Sequence, residues 1–202
     1  MKAISPIIDK DLLIAWGGVC KKFRKNQIIF NEGESPRFYY QILEGAVKMQ
    51  NINVDGKEFV QGIFFDGDSF GEPPLFTGDL YPASGICVAD SLIYILQRDT
   101  FLKILDEYPS IHRKFSKQLA TRIIQKSITL REIVNSTPES RLLAFLDSMK
   151  KRFGENNEPL LIPFTRQQIA DFTGLRVETV IRTLVKMQEK GEVSIINHKL
   201  YF

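Results

Sequence analysis

"TRQQIADFTGLRVETVIRTLVKMQEKGEVSIINHKLYF", residues 165–202, decides how the rest of the chain is read. Thr165 and Gln168 stand in T-x-x-Q spacing, so each can satisfy a free backbone N–H of the other at a helix start. A short helix follows, with Ile169 and Ala170 inward, and Thr173-Gly174 turns the chain. A second helix is expected from about Arg176 to Lys190, with Val180, Leu184, Val185 and Met187 as its core face and Gly191 as its stop. Two short apolar runs, "EVSII" and "KLYF", flank Asn197-His198, a tight-turn dipeptide. Helix, glycine turn, helix and hairpin together describe a winged helix-turn-helix. Glu178 and Arg182 are four apart and point away from Val180 and Leu184. Arginine can grip guanine bidentately and glutamate can accept from cytosine N4, so the pair suits a G·C step in a major groove. The alternative is an ordinary surface ion pair worth a few tenths of a kcal/mol.

Upstream, "PSIHRKFSKQLATRIIQKSITLREIVNS" (109–136) runs without internal Gly or Pro. A helix of that length spans about 40 Å. Ile111, Phe115, Leu119, Ile123 and Leu130 follow one stripe, which needs an apolar partner surface. The stripe is expected to form a two-fold seam with a second copy, Lys126 interrupting it as polar residues do in such seams. "STPES" then ends this helix and starts another over 138–153, with Thr137 as a cap, Pro138 in the first turn and Gly154 at the end.

Earlier still, residues 7–25 look helical from the spacing of Ile7, Ile8, Leu12, Leu13 and Trp16. From Gln27 to Leu96, β-branched and aromatic runs alternate with glycine-containing turns about every ten residues, and Asp55-Gly56 marks a hairpin. A helix begins near 99. The reading is α+β: an antiparallel β-barrel of jelly-roll kind over 1–106, a long dimerisation helix over 107–137, and a winged helix-turn-helix over 138–202.

Composition is that of a globular protein, 44% apolar and 25% charged, with net charge +3. The charge is uneven: −3 over 1–106, +4 over 107–137 and +2 over 138–202, which places a polyanion partner on the rear half. No apolar run is long enough for a membrane helix, and "MKAISPIIDKDLLIAWGG" does not read as a signal peptide. Cys20 and Cys87 are far apart and His112 and His198 isolated, so neither a metal site nor a bound cofactor is expected. Metal chemistry on the barrel would want clustered histidines, and the first histidine is residue 112. No enzyme activity is expected.

Taken together, "FGE" at 70–72, "TRQQIADFTGL" at 165–175 and "ETVIR" at 178–182 resemble the CRP/FNR family of bacterial transcription regulators, across nearly the whole chain in the right order. The resemblance implies a cytoplasmic homodimer that binds palindromic double-stranded promoter DNA and contacts RNA polymerase. It implies a DNA face of Thr165, Arg166, Gln167, Arg176, Val177, Glu178, Thr179 and Arg182, and a cyclic-nucleotide-like effector pocket at Gly71, Glu72, Pro82, Ala83, Lys126 and Ser127. Two departures stand out. Where the family's cyclic-nucleotide cassette has Arg-Ser or Arg-Thr, this chain has Pro82-Ala83, losing a guanidinium, a backbone N–H and a hydroxyl. Where cAMP-type members place an arginine before the recognition glutamate, it has Val177. The expectation is a DNA-binding regulator that does not respond to cAMP, its effector unknown. A cyclic-nucleotide-binding module acting on a protein partner is the other reading, and it leaves the helix-turn-helix without a use.

Overall fold

The computed structural model describes residues 6–52, 58–135, 137–153 and 158–202, with backbone alone over 128–135. The chain divides into two compact units, one ending at Arg122 and the next beginning at Ile123.

The first unit opens with helix α1 (Lys10–Ala15), whose N-cap Asp9 accepts from the Asp11 amide. The helix expected over 7–25 stops there. Gly17 turns the chain at φ +85°, and a side chain at Gly18 would lie 2.6 Å from the Leu13 carbonyl oxygen. Residues 19–23 instead form strand β1 (Val19–Phe23). It pairs antiparallel with β8 (Ser91–Gln97) from Val19↔Ile95 to Phe23↔Ser91. The sheet order is β1-β8-β3-β6, with β3 at Phe38–Glu44 and β6 at Ser69–Phe70. A second four-stranded antiparallel sheet runs β2-β7-β4-β5: Ile28–Phe30, Ser84–Cys87, Ala46–Ile52 and Glu58–Phe65. The Asp55-Gly56 turn lies outside the described residues, but the strands on either side pair in register down to Ile52↔Glu58.

Two cores explain why β3 and β8 read as continuous apolar runs. Successive strand residues face opposite sides of a sheet. Tyr40, Ile42 and Ile93 point between the two sheets, with Phe30, Val47, Met49, Phe70 and Cys87. Tyr39, Tyr94 and Leu96 point to the other face, with residues of α1, of helix α3 (Arg98–Glu107) and of the long helix α4 (Pro109–Asn135). A sheet covered on both faces has no polar alternation to show. A short helix α2 (Pro73–Thr77), unforeseen from the sequence, interrupts the loop after β6 and starts on two prolines.

The start of α4 corrects the expected seam. Ile111 and Phe115 are buried in their own unit. The Phe115 ring meets Tyr39 at 5.8 Å and Phe101 at 5.2 Å, both edge-on. These first turns spend their apolar stripe on the sheet and α3, so they are not available to a second copy. Leu119 is half-buried, Ile123 and Ile124 are 65% and 61% exposed, and the Leu130 side chain lies outside the described residues.

In the second unit, helix α5 (Pro138–Phe153) is capped by Thr137, whose Oγ1 accepts from the Ser140 amide. The Gly154 stop lies outside the described residues. Helices α6 (Arg166–Thr173) and α7 (Val177–Glu189) follow, then the hairpin β10 (Ser194–Ile196) and β11 (Lys199–Tyr201). Leu161–Ile162 adds a strand β9, not foreseen from the sequence, that pairs with β11 and makes the wing three-stranded. Asn197 and His198 both have positive φ, the signature of a two-residue type I′ turn. Leu142, Leu146, Ile169, Val180, Leu184 and Met187 form the helical core, and Phe145, Phe164 and Phe172 pack ring against ring beside it.

Phe115→Ala should destabilise the first unit by about 3–5 kcal/mol, the range for removing a buried aromatic ring. Urea denaturation followed by intrinsic fluorescence of Trp16 checks this. A loss below about 1 kcal/mol would mean that the helix start is not part of this core.

Candidate nucleic-acid interface and effector pocket

The recognition segment begins with the capping box. The Gln168 amide donates to Thr165 Oγ1 at 3.2 Å, and the Thr165 amide donates to Gln168 Oε1 at 2.8 Å. These bonds hold the N-terminus of α6. Gly174 ends the helix in the left-handed region at φ +66°, which a side chain would strain. The turn delivers Arg176 as the N-cap of α7.

Along α7, Val180, Thr183, Leu184 and Met187 are buried. Glu178 and Arg182 lie on the opposite, exposed side. Among the described residues neither side chain forms a hydrogen bond or ion pair, with the other or with a neighbour. The surface-ion-pair alternative is therefore not realised, and both groups keep their full bonding capacity. Arg176 and Thr165 are exposed, and Val177 and Thr179 are half-buried. Gln167 is exposed but its amide donates to Asp171 Oδ1 at 2.8 Å. Arg166 is half-buried, and burial pulls its pKa down. The sequence-derived DNA residues thus share two neighbouring elements, with Glu178, Arg182 and Arg176 the least committed to internal bonds.

The cassette in the first unit is filled. Gly71, Glu72 and Ala83 are buried, and Pro82 is exposed with its carbonyl accepting from Asn51 Nδ2 at 2.6 Å. The Phe30 ring lies against both glycine arms. A Cβ at Gly71 or Gly85 would stand about 3.0 Å or 2.9 Å from its atoms. Tyr81 stacks on Phe30 at 3.9 Å between centroids, and Tyr40 and Phe70 close the cluster. Burial pushes the Tyr40 phenol up to about 12, and burial also raises Tyr81 strongly, so both stay neutral at physiological pH.

Glu72, only 1% exposed, has a cation that the sequence reading passed over. Arg122 of α4 donates from Nη1 to both carboxylate oxygens, at 2.9 and 3.0 Å, and from Nη2 to the Ser69 carbonyl at 2.7 Å. Ser69 Oγ donates to Glu72 Oε1. The guanidinium also sits 5.0 Å over the Phe64 ring. Burial, and after it the opposing effects of its charged and polar neighbours, leave the Tyr39 phenol well above its usual pKa, so it remains a donor, to Gln41. Lys126 and Ser127 belong to the second unit. Both are exposed, and Ser127 Oγ donates to the Ile123 carbonyl of its own helix. Lys48 is paired with Glu58 at 2.9 Å. No signal in a sequence marks Arg122 except its place on the helix, fifty residues from its partner.

Two family models match: a cyclic nucleotide-binding domain over residues 20–108 and a Crp-like helix-turn-helix domain over residues 140–201. The chain belongs to the CRP/FNR family of transcription regulators. Among curated relatives, the nitrogen fixation regulation protein FixK of Bradyrhizobium diazoefficiens is 24% identical over 87% of this chain and 74% of its own. The fumarate and nitrate reduction regulatory protein of Escherichia coli K12 is 23% identical over 87% and 71%. In fold, FixK2 of Bradyrhizobium japonicum matches with TM-score 0.81 at 22% identity, covering 92% of each chain. The c-di-GMP-responsive regulator CLP of Xanthomonas campestris matches with TM-score 0.78 at 18% identity, over 92% and 93%. This regulator therefore carries the jelly-roll, long helix and helix-turn-helix of its family, and binds DNA through the last of these. Among the described residues no helix is long and apolar enough to cross a membrane.

Arg122→Met leaves a buried carboxylate without its cation and should cost about 3–5 kcal/mol of stability. Adding Glu72→Leu should recover most of that loss, because the unpaired charge is gone. Denaturant melts of the single and double variants check it; additive losses would contradict the pairing.

Proposed function

We propose that this regulator acts as a cytoplasmic homodimer on palindromic promoter DNA, in contact with RNA polymerase, and that cAMP is not its effector. The observation that carries the effector part is the occupied cassette. A cyclic phosphate needs a fixed cation and several donors when it is taken out of water. Here the phosphate-side positions are Pro82 and Ala83, the space between Gly71 and Gly85 holds the Phe30 ring, and the Arg122 guanidinium is already engaged by the Glu72 carboxylate and the Ser69 carbonyl. Binding would require expelling an aromatic stack and breaking a buried ion pair.

The DNA part rests on Glu178 and Arg182, exposed and unpaired on α7, with Arg176 at its N-cap. They address a G·C step in the major groove, and Thr165, Arg166, Gln167, Val177 and Thr179 flank them as positioning contacts. Dimerisation is assigned to the part of α4 after its packed start. Leu119, Ile123, Lys126 and Leu130 alternate at four and three residues, the spacing of a two-stranded seam, and Ile123 is largely exposed. RNA polymerase contact and cytoplasmic location are carried by membership of a family of promoter-binding regulators.

Selection of bound sequences from a random duplex pool should return an inverted repeat with half-site centres about one helical turn apart. On that site Arg182→Ala should cost about 1–3 kcal/mol and relax preference at one G·C pair. Equal weakening on every sequence would make Arg182 a phosphate contact instead. In sedimentation, Ile123→Asp should give monomers that fold but lose the selected site. A dimer that survives the change would place the seam elsewhere.

A further inference from the structure

Two apolar side chains on α7, Ile181 and Val185, stand outside its buried face, where the sequence had placed Val185. Ile181 is 48% exposed and Val185 46% exposed, while the buried face of the helix is complete without them. They are four residues apart. Ile181 is three residues beyond Glu178, and Val185 three beyond Arg182, so all four share one exposed face. Single exposed apolar residues are common on protein surfaces. Two at helical spacing, interleaved with two unpaired base-reading groups, are a surface for one occupant.

We propose that Ile181, backed by Val185, reads a thymine C5-methyl group in the major groove, beside the G·C step addressed by Glu178 and Arg182. An isoleucine side chain has no donor or acceptor. In the major groove the thymine methyl is the base-edge feature offered to apolar contact. The step along the helix from Glu178 to Ile181 is about 4.5 Å. Base pairs rise about 3.4 Å. Ile181 therefore falls about one base pair from the pair that Glu178 addresses. Both side chains are β-branched and hold one χ1 rotamer on a helix, so they lose little freedom on contact. The half-site is then not defined by its G·C step alone: it requires a thymine at the adjacent pair, and Ile181 sets that requirement.

This inference rests on the DNA-reading role proposed for Glu178 and Arg182, and the test separates the two. The full-length protein is used to select its site from a random duplex pool. Each thymine of the selected site is then replaced in turn by deoxyuridine, which deletes the methyl and keeps the pairing. Binding is read by fluorescence anisotropy at one salt concentration. Wild type should lose about fourfold at one thymine in each half-site, the factor expected for one methyl group left in water. The Ile181→Ala protein should bind the thymine and uracil versions of that site alike, and Ile181→Val should keep the wild-type discrimination. Because the uracil change leaves the protein untouched, its result does not depend on how a variant folds. A selected site whose uracil versions all bind equally overturns the inference and leaves the DNA-reading role standing. A uracil penalty that persists undiminished in Ile181→Ala also overturns it. A pool that yields no enriched sequence overturns both.

Discussion

A carboxylate buried to 1% exposure cannot stand alone, and Glu72 is placed where the sandwich, α2 and the long helix meet. Desolvating an unpaired charge costs several kcal/mol or forces protonation. Arg122 meets that demand with three donated hydrogen bonds and a ring beneath its guanidinium. The pair ties α4 to the first unit two turns beyond Phe115, which is anchored in the core below Tyr39. Charge pairing at one point and aromatic packing at the other hold the first half of the helix to the sandwich. The same pair engages the acidic and the cationic group with each other.

The interior between the sheets follows a related constraint. Phe30 reaches across to the backbone of Gly71 and Gly85, which is possible only because neither carries a Cβ. In a phosphate-binding loop such glycines open space for an anion. Here they open space for a ring, and Tyr81 covers it. Nothing comparable restrains the recognition helix, whose exposed face keeps its polar groups uncommitted.

Much of this was legible in the residue order because the signals are local. The T-x-x-Q box, Gly174, the start of α4 at Pro109 and the Asn197-His198 turn each act within a few residues, and the structure holds all four. The failures share a cause in long-range packing. The strand character of residues 19–23 is imposed by pairing with β8, seventy residues away. The strand Leu161–Ile162 exists only because β11 returns to it. Ile111 and Phe115 carry the same periodicity as a dimer stripe, yet a sheet face and α3 claim them first. Arg122 reads as one more exposed base on a basic helix until the fold brings Glu72 to it. Periodicity gives the apolar face of a helix but cannot say which surface covers it.

We propose that the sensor unit is closed to cyclic nucleotide and that the regulator reads DNA without one. The direct measurement is the affinity of nucleotide-free, full-length protein for its selected site, by fluorescence anisotropy, with and without saturating cAMP or cGMP. The account predicts tight, sequence-specific binding that neither nucleotide changes. Specific binding that appears only when a cyclic nucleotide is added would contradict it.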